Sequence, residues 1–169
     1  MKSAMEYLDI ARKLYLQKDC ENALVEVNRA LEQRKKYYSA YVLKGNILFE
    51  MDQDESALEC YERAIELRPR YYEAYDFKAS TLLMMGRAPQ AEVFARKALT
   101  LIKKQKRTNK TNLALVYDTL ASVLLHENKE KQAVSVLREG VRRTQFQSLE
   151  LFFAQVQAKA KKRDKEPGS

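Results

Sequence analysis

His126 is the only histidine in the chain, so a histidine-based triad, a zinc site or a paired proton relay has too few members. It reads as an ordinary helix-surface residue. Cys20 and Cys60 lack metal-type spacing, and nothing beside them in sequence would lower a thiol pKa. The adjacent carboxylates Asp54 and Glu55 follow a break between apolar stretches, where they suit the positive end of a helix better than acid–base work. No glycine-rich phosphate loop is present. These residue types predict a chain that is not an enzyme and uses no cofactor or metal. The remaining chemistry is charge. Lys103, Lys104, Lys106, Arg107 and Lys110 carry +5 of a formal net +8, and the remaining +3 lies beyond residue 158. Elsewhere acids and bases balance, so the basic character belongs to short segments and not to a face. The 103–110 run is similar to a nuclear-import or contact segment, although cations at a helix C-terminus are also favourable through the dipole. It lacks interleaved aromatics, which disfavours nucleic-acid binding.

The elements that must position these groups are written in the small residues. Ala11, Gly45 and Ala79 are 34 apart; so are Ala23, Ala57 and Ala91, and Ala30, Ala64 and Ala98. Ala121, Ala133 and Gly140 keep the same internal offsets but arrive eight residues late. Such offsets suit two helices in close contact, and a unit of this kind buries its apolar face only by stacking on copies of itself. With 169 residues there is room for about four such repeats. Only four glycines and three prolines are present, which argues against a turn-rich all-β chain. Polar or glycine-bearing breaks at 18–20, 52–54, 86–88 and 127–129 divide each repeat into helix A and helix B. No run of about twenty apolar residues occurs, and residues 1–16 lack a signal-peptide core. The expectation is therefore a reduced protein of the cytoplasm or nucleus, without a membrane partner.

In the segment 38–71, Tyr41, Gly45, Leu48, Ala57, Tyr61, Ala64 and Pro69 fall at repeat positions 4, 8, 11, 20, 24, 27 and 32. This pattern resembles the tetratricopeptide repeat. The same frame places Tyr7, Ala11 and Ala23 in the first repeat, Tyr75, Ala79 and Ala91 in the third, and Tyr117, Ala121 and Ala133 in the fourth. The resemblance implies an all-α, right-handed α-solenoid of about four helix–turn–helix repeats with a C-terminal capping helix. The repeats would span 4–37, 38–71, 72–105 and 114–147, followed by the cap at 148–163. Together they make one domain over 1–163, with a disordered tail at 164–169. Leu149, Phe152, Phe153 and Val156 give the cap one apolar face. The extra residues before the fourth repeat are expected to prolong helix B of the third, with a loop around 108–111.

By the same resemblance the A helices line a concave groove through positions 2, 5, 6, 9, 12 and 13. The groove would draw on Met5, Leu8, Arg12, Tyr15 and Leu16, then Val42, Asn46 and Phe49. The second half would add Glu73, Asp76, Phe77, Ser80 and Met84, then Leu115, Asp118, Ser122 and His126. This mixture of apolar and hydrogen-bonding groups suits an extended peptide or amphipathic helix. Family members that clamp a chaperone's C-terminal carboxylate use Lys, Asn, Asn, Lys and Arg where this chain has Leu8, Arg12, Leu43, Glu73 and Phe77, so that partner is disfavoured. The function implied is a non-catalytic adaptor or scaffold. The alternative is an architectural or self-associating subunit of a complex, and a basic-segment nucleic-acid binder stands third. Oligomeric state is left open. The tyrosine pairs Tyr37–Tyr38 and Tyr71–Tyr72 recur at the repeat interval and are expected to pack between repeats.

Overall fold

A computed structural model describes residues 2–165. Among the described residues there are nine helices: α1 Ala4–Leu16, α2 Cys20–Gln33, α3 Tyr38–Glu50, α4 Asp54–Leu67, α5 Tyr72–Met84, α6 Ala88–Lys103, α7 Lys110–His126, α8 Glu130–Thr144 and α9 Gln147–Lys165. They form four antiparallel A/B pairs stacked in chain order, with α9 packed on α8. The architecture is an α-solenoid. Successive A helices (α1, α3, α5, α7) touch one another, whereas successive B helices are farther apart, so the A helices form the inner layer of the curve. The tail expected over 164–169 is helical at 164 and 165, and its remaining residues lie outside the described ones.

The A-to-B turn is built the same way four times. Lys18, Asp52, Gly86 and Asn128 occupy equivalent positions, and all take positive φ, between 57° and 73°. The next residue then donates its N–H back to a leucine carbonyl five residues earlier: Asp19 to Leu14, Gln53 to Leu48, Arg87 to Leu82 and Lys129 to Leu124, at 2.8–3.0 Å. This is the Schellman closure of a helix. Only the third turn supplies the glycine that favours it. Helix starts are capped less uniformly. Ser3 and Glu6 make a reciprocal capping box on α1. Asp19 caps α2 through the Asn22 N–H, and α6 carries proline in its first turn.

The small residues that set the register lie where helices meet. The ten alanines among them are 0% exposed. A Cβ added to Gly45 would stand 2.5 Å from the Tyr61 ring, and one on Gly140 would stand 2.7 Å from Leu149 and 2.8 Å from Tyr117. The aromatic of one helix therefore rests directly on the glycine backbone of its partner. Leu149 and Val156 of α9 are buried, and Phe152 and Phe153 are partly buried against the same core, so α9 covers the open end of the fourth repeat.

The eight late residues are distributed differently from the expectation. Helix α6 is 16 residues long against 14 for α2 and α4, a gain of only two. Helix α7 has 17 residues against 13 in the other A helices, so four of the extra residues build a new first turn. The connection runs over 104–109, and Thr111 is helical rather than in a loop. Local capping explains this outcome. The Thr108 hydroxyl donates to the Ile102 carbonyl at 3.2 Å and closes α6. The Asn109 side chain accepts from the Thr111 N–H at 2.8 Å and starts α7. Asn112 then donates to the Tyr72 hydroxyl at 2.9 Å, tying the added turn to α5.

Candidate protein-binding groove

The inner layer presents the residues that the sequence assigns to a groove, with two corrections. Leu8 and Val42 are buried between helices, at 0% and 5% exposure, and offer nothing to a ligand. Position 5 faces the adjoining helix in the first two repeats, where an aliphatic side chain gains more by packing than by exposure. Arg12, Met84 and Asp118 are exposed, and Tyr15, Asn46, Phe49, Asp76, Ser80 and Ser122 are half-buried. Among the described residues eight large apolar side chains are exposed, and five of them (Met5, Leu16, Phe77, Met84 and Leu115) lie on inner helices at groove positions. These apolar groups stay in water on one layer of the molecule, a pattern associated with interaction surfaces.

Between the first three repeats the inner layer dips into a cavity of about 180 Å³ lined by Tyr15, Asn46, Phe49, Glu50, Tyr61, Phe77, Ser80 and Thr81. Its floor is rigid. Phe77 stacks on Tyr61 with ring centroids 6.1 Å apart and 20° between planes. The Tyr61 hydroxyl donates to Asn46 Oδ1 at 2.8 Å, which orients the amide and leaves its N–H₂ available to a ligand. Sequence reading placed Asn46 in the groove but missed Tyr61, a B-helix residue that reaches the floor because Gly45 admits its ring.

Farther along, the inner layer is acidic. Asp76 on α5 and Asp118 on α7 occupy the same position in successive repeats, and Glu73 lies one turn before Asp76. Asp76 Oδ1 and Glu73 Oε2 are buried without a hydrogen-bond partner. Burial pushes the Asp76 carboxyl up to about 6, against a weaker opposing effect from the Thr119 hydroxyl, while Glu73 and Asp118 push it further up. Burial also raises Glu73 and Asp118. Arg68 offsets Glu73 only weakly. It is committed to the junction aromatics, lying 4.6 Å over Tyr38 and 5.6 Å over Tyr71 and donating to the Tyr38 hydroxyl.

The outer layer has the opposite character. Arg87 pairs with Glu55 at 3.0 Å, Lys129 with Glu92 at 2.6 Å and Lys103 with Glu139 at 2.7 Å, each across a repeat boundary. Arg96 reaches both Glu92 at 2.5 Å and Gln132 at 2.8 Å. The Lys129 ammonium holds the Glu92 carboxyl down at about 2, and the Arg96 guanidinium adds to the effect. Lys103 is thus a boundary contact, which separates it from the rest of the basic run. Lys104, Lys106 and Arg107 are exposed in the 104–109 connection, and Lys110 is exposed at the start of α7. The tyrosine pairs pack between repeats: Tyr38 and Tyr71 meet edge to face at 4.8 Å, and Arg34 lies 4.5 Å over Tyr37. No group of three or more His, Cys, Asp or Glu side chains among the described residues is placed to hold a metal ion. Nor is any helix there long and apolar enough to cross a membrane.

Residues 38–71, the segment with the fullest spacing pattern, match the family model of the tetratricopeptide repeat. The pilF protein of Pseudomonas aeruginosa superposes over 94% of this chain and 69% of its own, with a TM-score of 0.83 and 19% identity. Residues 38–71 are thus one tetratricopeptide repeat, within a chain that shares the fold of such proteins. A MamA structure aligns with a TM-score of 0.70 at 16% identity over 82% of this chain and 77% of its own. The first tetratricopeptide domain of Spaghetti (RPAP3), solved with the HSP90 peptide SRMEEVD, aligns with a TM-score of 0.64 at 12% identity over 73% of this chain and 91% of its own. At these identities the likeness lies in the fold. No curated protein matches in sequence. Tetratricopeptide repeats generally mediate protein–protein interaction and scaffolding.

Proposed function

We propose that this tetratricopeptide-repeat chain is a non-catalytic adaptor that holds a segment of a partner protein along its inner layer. One observation carries the reading: five of the eight exposed large apolar side chains lie on inner helices at groove positions. The cavity floored by Tyr61 and Phe77 provides a place for an apolar anchor, and the Asn46 amide beside it can bond to an extended backbone. The partner differs from the HSP90 peptide held by the Spaghetti domain, because Glu73 and Phe77 stand where a carboxylate clamp of the family places cations.

Site-specific photo-crosslinking in cells tests the reading. A benzophenone side chain at Met84 or Leu115 is expected to give the same partner adduct, and one at Val93, 66% exposed on α6, is expected to give none. The double substitution Asn46→Ala and Phe77→Ala should abolish the adduct while leaving the helical content unchanged. Adducts from Val93 alone, or adducts indifferent to the double substitution, would place the partner elsewhere.

A further inference from the structure

We propose that the groove selects partner segments that carry an arginine, whose guanidinium lies between α5 and α7 against the carboxylates of Asp76 and Asp118, with Glu73 beside them. The inference rests on the groove reading above and adds the chemistry of the ligand. Its basis is an imbalance. Elsewhere acids and bases meet across repeat boundaries, at Glu55, Glu92 and Glu139 among others. In the second half of the inner layer three acids come together without such a partner. Two of their oxygens, Asp76 Oδ1 and Glu73 Oε2, are withdrawn from water and accept no hydrogen bond. A buried carboxylate left this way is costly unless something supplies donors.

The geometry favours a cationic side chain over an inorganic cation. No set of three acids among the described residues is placed to hold a metal ion. A guanidinium, by contrast, spreads five N–H donors over a planar fork and can bridge carboxylates that are apart. Asp76 and Asp118 stand at equivalent positions of adjacent inner helices that touch, so one flat group between those helices can reach both. Asp76 keeps a minor part of its surface open to solvent although one oxygen is buried. Rotation about its last torsion, which is soft, can present either oxygen. The neighbouring apolar side chains bear on the same segment. Phe77 adjoins Asp76, and Leu115 precedes Asp118 by three residues, so an arginine with apolar neighbours on either side fits this stretch.

Selection from a random dodecapeptide library displayed on phage supplies the probe. Enriched peptides are synthesised with arginine or with citrulline, its neutral isostere, and titrated by fluorescence anisotropy. The proteins titrated are the full chain, Asp76→Asn combined with Asp118→Asn, and Asn46→Ala combined with Phe77→Ala. The expected result is an arginine at one fixed position of the enriched peptides. Its replacement by citrulline should weaken binding by roughly tenfold or more, and that penalty should largely vanish in the double carboxamide variant. Peptides that need Phe77 but bind equally well with citrulline would overturn the arginine cradle and leave the groove reading standing. A library that yields no binder, or binders indifferent to both variants, would overturn the groove reading as well. A dimer of the free chain that only the double carboxamide variant dissolves would assign the acids to a second copy and overturn the proposal. Carboxamides keep the side-chain shape and remove the unpaired charge, so unfolding midpoints at or above that of the parent separate lost recognition from lost structure.

Discussion

Asp76 and Glu92 belong to the same repeat and differ mainly in the layer they occupy. Glu92, on the outer helix α6, is reached by Lys129 and Arg96, and its carboxyl is held down at about 2. Asp76, on the inner helix α5, loses solvent without gaining a cation, and its carboxyl is pushed up to about 6. One side chain is stabilised by ionising in place, whereas the other is strained by it. The apolar residues divide within the inner layer itself, packed at Leu8 and Val42 but open at Met84 and Leu115. The outer-layer acids Glu55, Glu92 and Glu139 find cations within the chain, and Glu26, with one oxygen buried and unbonded, still pairs with Arg29. The inner layer is satisfied only in part, as a surface that receives a partner would be.

The largest effect should separate packed from open apolar groups within the inner layer. Leu8→Ala is expected to cost about 2–5 kcal/mol in denaturant unfolding, against well under about 1 kcal/mol for Leu115→Ala. Equal costs would erase the distinction between core and groove. Next in size, Asp76→Asn should raise stability near neutral pH by on the order of 1–2 kcal/mol, a figure reduced for the partial exposure of the side chain. Glu92→Gln should lower stability by up to about 1 kcal/mol, since its partners are partly exposed.

The smallest and most diagnostic effect is in the pH dependence. The folded Asp76 carboxyl binds its proton more tightly than the unfolded one, so its cost is absent below the ordinary value of 3.8 and grows until pH passes about 6. The stability gap between Asp76→Asn and the parent should therefore open between those limits. For Glu92 the sign is reversed. Its contribution is full above the ordinary value of 4.5 and is lost as pH falls toward about 2, so the gap to Glu92→Gln should close over that range. Unfolding midpoints measured across pH for the three proteins check both slopes.

The solenoid was legible in the sequence because its strongest constraint is steric. A small residue is demanded wherever the helices meet, and that demand recurs with the repeat; at Gly45 and Gly140 an aromatic ring excludes even a Cβ. The turns were legible as polar breaks, although their common left-handed residue was concealed by four different identities at Lys18, Asp52, Gly86 and Asn128. The register break was read correctly in place but not in form. Whether extra residues prolong α6 or begin α7 depends on which end finds a cap, and Asn109 with Tyr72 decided it. In the groove, positional analogy put Leu8 and Val42 among exposed residues because it carries no information on how far each helix is rotated against its neighbour. The acids were visible as charges. Their lack of partners was not, because it depends on where Arg68 spends its guanidinium.

The most direct test pairs two measurements on Asp76→Asn: unfolding free energy near pH 7 and affinity for an arginine peptide taken from the library selection. An inner layer kept unsatisfied for a partner predicts that stability rises while affinity falls by roughly tenfold. A variant that loses stability, or one that binds the peptide as well as the parent does, would contradict it.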